Sequence, residues 1–189
     1  MSEIERSAKH LDRLVTQLIA LARADESVIA PREEGLTVDL VAAAADVLAE
    51  LAPVAASRNV ELAFEPASES VNAIANADIV REILTNLVDN AIRYNDEKGN
   101  VVVRVGGDGA GPFLQVLDDG PGIASAMRER VFDRFYRIPM NNQRSGAGLG
   151  LPIVRSLVEQ NNGTITLDDG PDGKGLSITV RLTAEGVSR

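Results

Sequence analysis

The chain has 189 residues, with 19 Lys and Arg against 28 Asp and Glu and a net charge of -9. That size fits one globular domain with an appendage, and the acidic balance argues against sequence-independent binding to nucleic acid or to an anionic membrane. Cysteine and tryptophan are absent and aromatics make up 3%, which excludes disulfides and thiolate metal sites, disfavours base stacking on aromatic platforms and suits a reducing compartment such as the cytoplasm.

In chain order, Ile4, Ala8, Leu11, Val15, Leu18 and Ala22 recur at alternating spacings of four and three, widened by Leu14 and Leu21. This heptad seam predicts a long N-terminal helix that seeks partner helices or packs on its own domain. Pro31 and Gly35 then mark a linker. A second helix is expected over 38–57; Asp46 and Glu50 interrupt its apolar run, so it does not read as a membrane span. Short alternating strands follow at 60–64 and 71–75, then a helix, DIVREILTNLVDNAIRYN, capped by Asp78. Strands at 101–105 and 113–117 flank the hairpin loop GGDGAGP. An irregular stretch over 120–150, containing the helix-like ASAMRERVFDRF, leads to a helix over 151–160 and strands at 164–167 and 176–182. The pattern is that of an α+β fold, a two-layer α/β sandwich with a mixed sheet preceded by a long N-terminal helix. Neither GxxxxGK[ST] nor GxGxxG occurs, so the P-loop and Rossmann routes to a nucleotide are closed.

Three segments carry candidate chemistry. In the helix from Asp78, the residues Glu82, Asn86, Asn90 and Arg93 form one polar stripe. Asn is a poor helix-interior residue, so two of them need a reason: a solvated face is one, a hard amide-oxygen ligand for Mg2+ with Arg93 beside the phosphates is another. The word LDDGPG at 117–122 ends a strand and LDDGPD at 167–172 links two strands. At the first, Asp118 can accept a hydrogen bond from an exocyclic amine and so select adenine over guanine, while Gly120 and Gly122 let a planar ring approach the backbone. The second reads as a hairpin turn. In GAGLGLP, alternating glycines run into a helix with Pro152 in its first turn, where unpaired N–H groups and the dipole favour an anion. Between these segments, VFDRFYRIPMNNQRS places Phe132, Phe135 and Tyr136 among Arg134, Arg137 and Arg144, as expected of a lid anchored by aromatics with arginines for phosphate.

These segments together resemble the ATP-binding catalytic domain of bacterial sensor histidine kinases, in the superfamily shared with type II topoisomerases, the ninety-kilodalton chaperones and mismatch-repair ATPases. NLVDNAIRY is similar to the N box, DDGPG to the G1 box, FDRFYR to the F box and GAGLGL to the G2 box, in family order. The resemblance implies a Bergerat-type ATP-binding domain over 38–189, a linker over 28–37 and, over 1–27, the second helix of a dimerisation hairpin.

It further implies that Asn90 coordinates Mg2+ with Asn86 assisting, that Arg93 and Tyr94 lie near the phosphates and ribose, and that Asp118 receives the adenine amine. Gly120 and Gly122 would hinge the lid. Gly146, Gly148, Leu149 and Gly150 would close over the phosphates, and Arg137 would be the lid residue nearest the γ-phosphate. Hydrolysing superfamily members place a glutamate where this chain has Asn86, so transfer to a protein histidine is favoured over hydrolysis. Glu82 is a candidate polarising residue. His10, followed by Leu-Asp-Arg-Leu-Val, lacks the H-box context of a phosphoacceptor and reads as a bundle-edge histidine; the acceptor would lie outside this chain. The implied cofactors are ATP and Mg2+. The implied partners are a response regulator and a second copy through the N-terminal helix, with no nucleic acid and membrane contact only through upstream segments, as the cytoplasmic part of an inner-membrane sensor. The alternative is a nucleotide-dependent switch such as an anti-sigma factor serine kinase.

Overall fold

The computed structural model describes residues 36–138, 147–170 and 173–184. The expected N-terminal helix with His10, most of the linker, Arg144 and Gly146 lie outside the described residues.

Strand β1 (Thr37–Asp39) leads directly into helix α1 (Leu40–Ser57). The helix starts two residues later than the sequence pattern suggests, because the Asp39 side chain accepts the N–H groups of Val41 at 2.9 Å and Ala42 at 3.4 Å and so becomes the N-cap. Thr37, expected in the linker, is already the first residue of β1. Among the described residues α1 is the one helix long and apolar enough to cross a membrane, with a mean hydropathy of 1.6 over 18 residues; here Leu40, Ala44 and Val47 are buried in the core instead.

The short strands expected at 60–64 and 71–75 form as β2 (Glu61–Pro66) and β3 (Asn72–Ile74), and they part company. β3 pairs antiparallel with β1 in a two-stranded sheet, whereas β2 runs parallel to β4 (Asn100–Asp108) at the edge of the main sheet. Helix α2 (Ala77–Tyr94) follows β3. Its cap is Asn76, not Asp78: the Asn76 side-chain oxygen accepts from the N–H groups of Asp78 at 2.8 Å and Ile79 at 3.3 Å. Asp78 lies in the first turn and Arg93 in the last, so both charges complement the helix dipole.

The hairpin of β4 and β5 (Gly111–Asp118), helix α3 (Gly150–Gln160) and the hairpin of β6 (Thr164–Asp169) and β7 (Leu176–Arg181) complete the chain. The main sheet has the order β2-β4-β5-β7-β6 and is mixed, since only the β2–β4 pairing is parallel. The segment 124–135, expected to be helix-like, holds two single 3-10 turns at Ser125–Met127 and Arg130–Phe132.

The helices cover one face of the sheet. Alternation along β4 sends Val101, Val103 and Val105 inward and Arg104 outward, and Leu114 and Val116 of β5 and Ile178 and Val180 of β7 join the inward set. From α2, Val80, Ile83, Leu84, Leu87 and Ala91 meet them, the apolar face that its sequence periodicity predicts. The other sheet face carries paired polar groups beside Val102, Phe113 and Leu117: Arg104 Nε pairs with Glu65 at 2.6 Å, and the Gln115 amide donates to the hydroxyls of Ser177 and Thr179 at 3.2 and 3.1 Å. The two-layer sandwich therefore forms as expected, and it presents the polar stripe of α2, the end of β5 and the start of α3 on one side.

Candidate functional site

On α2 the polar stripe stays half-buried beside the core. The Asn86 amide nitrogen donates to the carbonyl of Glu82 at 2.9 Å, which turns its oxygen away from that bond as an available hard donor. Asn90 lies against the first residue of α3: a Cβ on Gly150 would sit 2.8 Å from the Asn90 amide nitrogen. The helix that carries the asparagines and the helix that begins after GAGLGL thus meet at this pair. Arg93 is held from within its own helix, its Nε 2.9 Å from a carboxylate oxygen of Asp89, a residue only 6% exposed. Tyr94, next along, is half-buried.

The N-terminus of α3 has no side-chain cap, and Pro152 supplies no N–H. Leu149 precedes the helix with its side chain 1% exposed in the core, so what it offers a ligand is main chain. Gly148 has φ +70°, and its carbonyl accepts the N–H of Phe135 at 3.0 Å. This contact joins FDRFYR to GAGLGL. The neighbouring aromatics are anchored by cations: the Arg155 guanidinium of α3 stands 4.5 Å over Phe132 and that of Arg130 stands 4.5 Å over Tyr136. Phe135 itself is 65% exposed, and Arg137 is exposed.

At the end of β5 two adjacent carboxylates are treated oppositely. Asp118 points into the helical layer and accepts the N–H of Gly120 at 3.0 Å. Burial pushes its carboxyl up from 3.8 to about 6, against the stabilising N–H groups of Gly120 and Leu176, and the charge of Asp119 adds to the rise. Burial also acts to raise Asp119, but the N–H and side-chain amide of Asn100 and the amide of Asn95 outweigh it and hold that carboxyl below its ordinary value. Asp119 is therefore a structural anchor. Asp118 is the group whose charge is under tension, as functional carboxylates often are.

The glycines of the first word serve the protein as well as any ligand. A Cβ on Gly120 would lie 3.0 Å from the Asp118 carboxylate and 3.3 Å from Asn95, and one on Gly122, at φ +67°, would lie 2.6 Å from the carbonyl of Gly175. Gly175 belongs to the turn of the second word. The two words thus face each other across a cleft of about 350 Å3, lined by residues 120–124 on one side and by Asp169 and residues 173–175 on the other. The sequence reading of the second word as a hairpin turn holds, and Asp168 is exposed; that the turn walls this cleft was not legible. Asn95, Asp119, Asp89 and Arg128 were also missed. The signal in the sequence was slight, a Tyr-Asn helix end and a doubled Asp.

No group of three or more His, Cys, Asp or Glu side chains fit to hold a metal exists among the described residues. The groups on this side are amide oxygens, which suit a hard cation carried largely by its own waters, and helix-terminal N–H groups, which suit phosphate oxygens.

A family model described as histidine kinase-, DNA gyrase B-, and HSP90-like ATPase matches residues 75–186. Among curated relatives, the sensor protein kinase PmrB of Pseudomonas aeruginosa is 37% identical over 95% of this chain. The chain spans 37% of the length of that relative. Among solved structures, the mycobacterial sensor histidine kinase MprB superposes with a TM-score of 0.69 at 26% identity, over 78% of this chain and all of the other. Full-length ShkA in complex with AMPPNP superposes with a TM-score of 0.77 at 27% identity, over 96% of this chain and 38% of the other. With a match over more than half its length and the fold to go with it, the chain belongs to the histidine kinase-, DNA gyrase B- and HSP90-like ATPase family.

Proposed function

We propose that this chain is the ATP-binding catalytic part of a two-component sensor histidine kinase, which transfers the γ-phosphate of ATP to a histidine that is not among its own residues. The observation that carries the reading is the meeting of Asn90 with Gly150, which joins the amide stripe of α2 to the uncapped N-terminus of α3 on the side of the sheet that the half-buried Asp118 faces. Hard amide oxygens, helix-terminal N–H groups and a shielded carboxylate are what Mg2+, phosphates and an adenine amine require. The likeness to PmrB, MprB and ShkA supports the same reading, the last having been solved with AMPPNP.

In this account Asn90 and Asn86 would hold Mg2+, which would supply charge neutralisation on the phosphate. Arg93 and Arg137 face the phosphates, and Tyr94 lies beside the ribose. Asp118 accepts the adenine amine, with Gly120 and Gly122 beside the ring. Gly146, Gly148, Leu149 and Gly150 close over the phosphates through their backbone. An amide at Asn86 activates water poorly, which favours transfer over hydrolysis. Residues 1–27 would belong to a dimerisation hairpin and the next ten to the linker, whose last residue, Thr37, already pairs in β1 beside the catalytic domain. The partners are a second copy and a response regulator, on the cytoplasmic side of an inner membrane that upstream segments would span.

Calorimetry with a non-hydrolysable ATP analogue and Mg2+ tests the site. Binding that Asp118→Asn weakens is expected, and absence of binding at millimolar nucleotide would remove the assignment.

A further inference from the structure

β7 lies between β5 and β6, so Asp118 and Asp169, one from each of the near-identical words, both pair with Leu176. Their loops pack together. Besides the Gly122–Gly175 contact, a Cβ on Gly175 would lie 1.7 Å from the carbonyl oxygen of Asp118, and one on Gly170 would lie 2.8 Å from the same atom. Any shift of the β6–β7 turn is therefore felt at the main chain of Asp118.

One side chain ties both walls of the cleft. Arg128, just after the first 3-10 turn, donates from Nε to the carbonyl of Ile123 at 3.1 Å and from one terminal nitrogen to the carbonyl of Leu167 at 3.3 Å; its other terminal nitrogen pairs with the Asp169 carboxylate. Ile123 belongs to the first wall, Leu167 and Asp169 to the strand that leads into the second. The Arg128 side chain is 20% exposed. Only a planar fork with donors in fixed directions can serve three acceptors so placed; an ammonium reaches one or two. The carboxylate partner is 68% exposed, so that pair contributes little by itself, and the two carbonyl bonds carry the geometry.

We propose that Arg128 is a positioning residue that fixes the gap between the loop following Asp118 and the β6–β7 turn, and so sets the affinity and purine selectivity of the base site. The proposal rests on the reading that Asp118 receives the base. Loss of the fork lets the two walls separate, which loosens the contacts that a purine makes with residues 120–123 and relaxes the aim of Asp118. The phosphate end, built on α2 and α3, is untouched. ATP and adenosine should therefore lose affinity by the same factor.

The test is calorimetric titration of the full chain with MgATP, adenosine and MgGTP, in wild type, Arg128→Ala and Arg128→Lys, with thermal melting as the check on folding. Arg128→Ala should weaken MgATP and adenosine about tenfold each, the scale of one or two lost charge-assisted hydrogen bonds, and narrow the preference for ATP over GTP. Arg128→Lys should fall between. Should Arg128→Ala fail to fold, Arg128→Lys must still weaken both ligands equally. A loss confined to MgATP, or unchanged affinity for both ligands in folded Arg128 variants, would overturn the proposal. Wild-type chain that binds neither MgATP nor adenosine would instead overturn the nucleotide reading beneath it.

Discussion

The side-chain amide of Asn95 donates to the carboxylate of Asp119 at 3.0 Å, across 24 residues of sequence, and to the carbonyl of Asn100 at the same distance. Asn95 is the residue that ends α2, and it is 6% exposed. Asp119 in turn receives the N–H and the side-chain amide of Asn100, each at 2.7 Å. The end of the asparagine helix, the start of β4 and the end of β5 are thus locked to one another, and Asp118, adjacent in the chain, is set by that lock.

Asp119→Ala should lower stability by about 1–2 kcal/mol, the range for charge-assisted hydrogen bonds at a partly exposed carboxylate, seen as a fall of several degrees in Tm. The native carboxyl titrates below its ordinary 3.8. Its contribution is therefore present above that value and lost as pH falls through the lower native one. Melting curves of wild type and Asp119→Ala should converge in that acid range and stay apart at neutral pH.

Asp118 has the opposite sign. Its carboxyl is raised from 3.8 to about 6, so ionisation opposes folding: the cost is absent below the unfolded value and complete above the folded one. At about 1.4 kcal/mol per pH unit it reaches roughly 3 kcal/mol at neutral pH. Asp118→Asn should hence raise Tm at pH 7.5 while weakening ATP by about 1–3 kcal/mol, because an amide is a poorer acceptor for the adenine amine. Wild-type affinity should fall as pH drops below about 6, and that dependence should vanish in the variant. Asp168→Asn, on the exposed face of the second word, should change neither stability nor ATP binding appreciably; equal ATP binding by the two Asn variants would contradict the role given to Asp118.

Gly150→Ala separates the phosphate site from the fold. The new methyl would meet the Asn90 amide nitrogen at 2.8 Å, the tip of a flexible side chain, so Asn90 swings away at little expense in stability, while Ala is the better helix former. Tm should hold within about 1 kcal/mol of stability and MgATP affinity should fall, with adenosine affinity retained. Equal loss of both ligands would show that Asn90 does not act at the phosphate end.

Much of this was legible in the sequence because it is local. The apolar period of α2 gave its buried face, and the paired Asn, the Asp at a strand end and the alternating glycines before Pro152 each have a short-range chemical reason. The long-range partners were not legible. Asn95 and Asp119 are ordinary polar residues until β5 brings one to the other. Asp89 lies off the stripe that the sequence picks out, yet it is buried and pairs with the half-buried Arg93. Arg128 reads as one basic residue among several, and its meaning depends on β7 lying between β5 and β6. Helix starts were misread by a residue or two for a similar reason: Asp39 and Asn76 compete with their neighbours as caps, and the strand that precedes each one decides the outcome.

The most direct test of the central claim is to incubate this chain with ATP labelled at the γ-phosphate, Mg2+ and a separately produced helical hairpin that carries an H-box histidine. The account predicts acid-labile, base-stable phosphate on the hairpin histidine, lost in Asn90→Ala and reduced in Asp118→Asn. Acid-stable phosphoserine on a protein acceptor, or release of free phosphate without transfer, would contradict it.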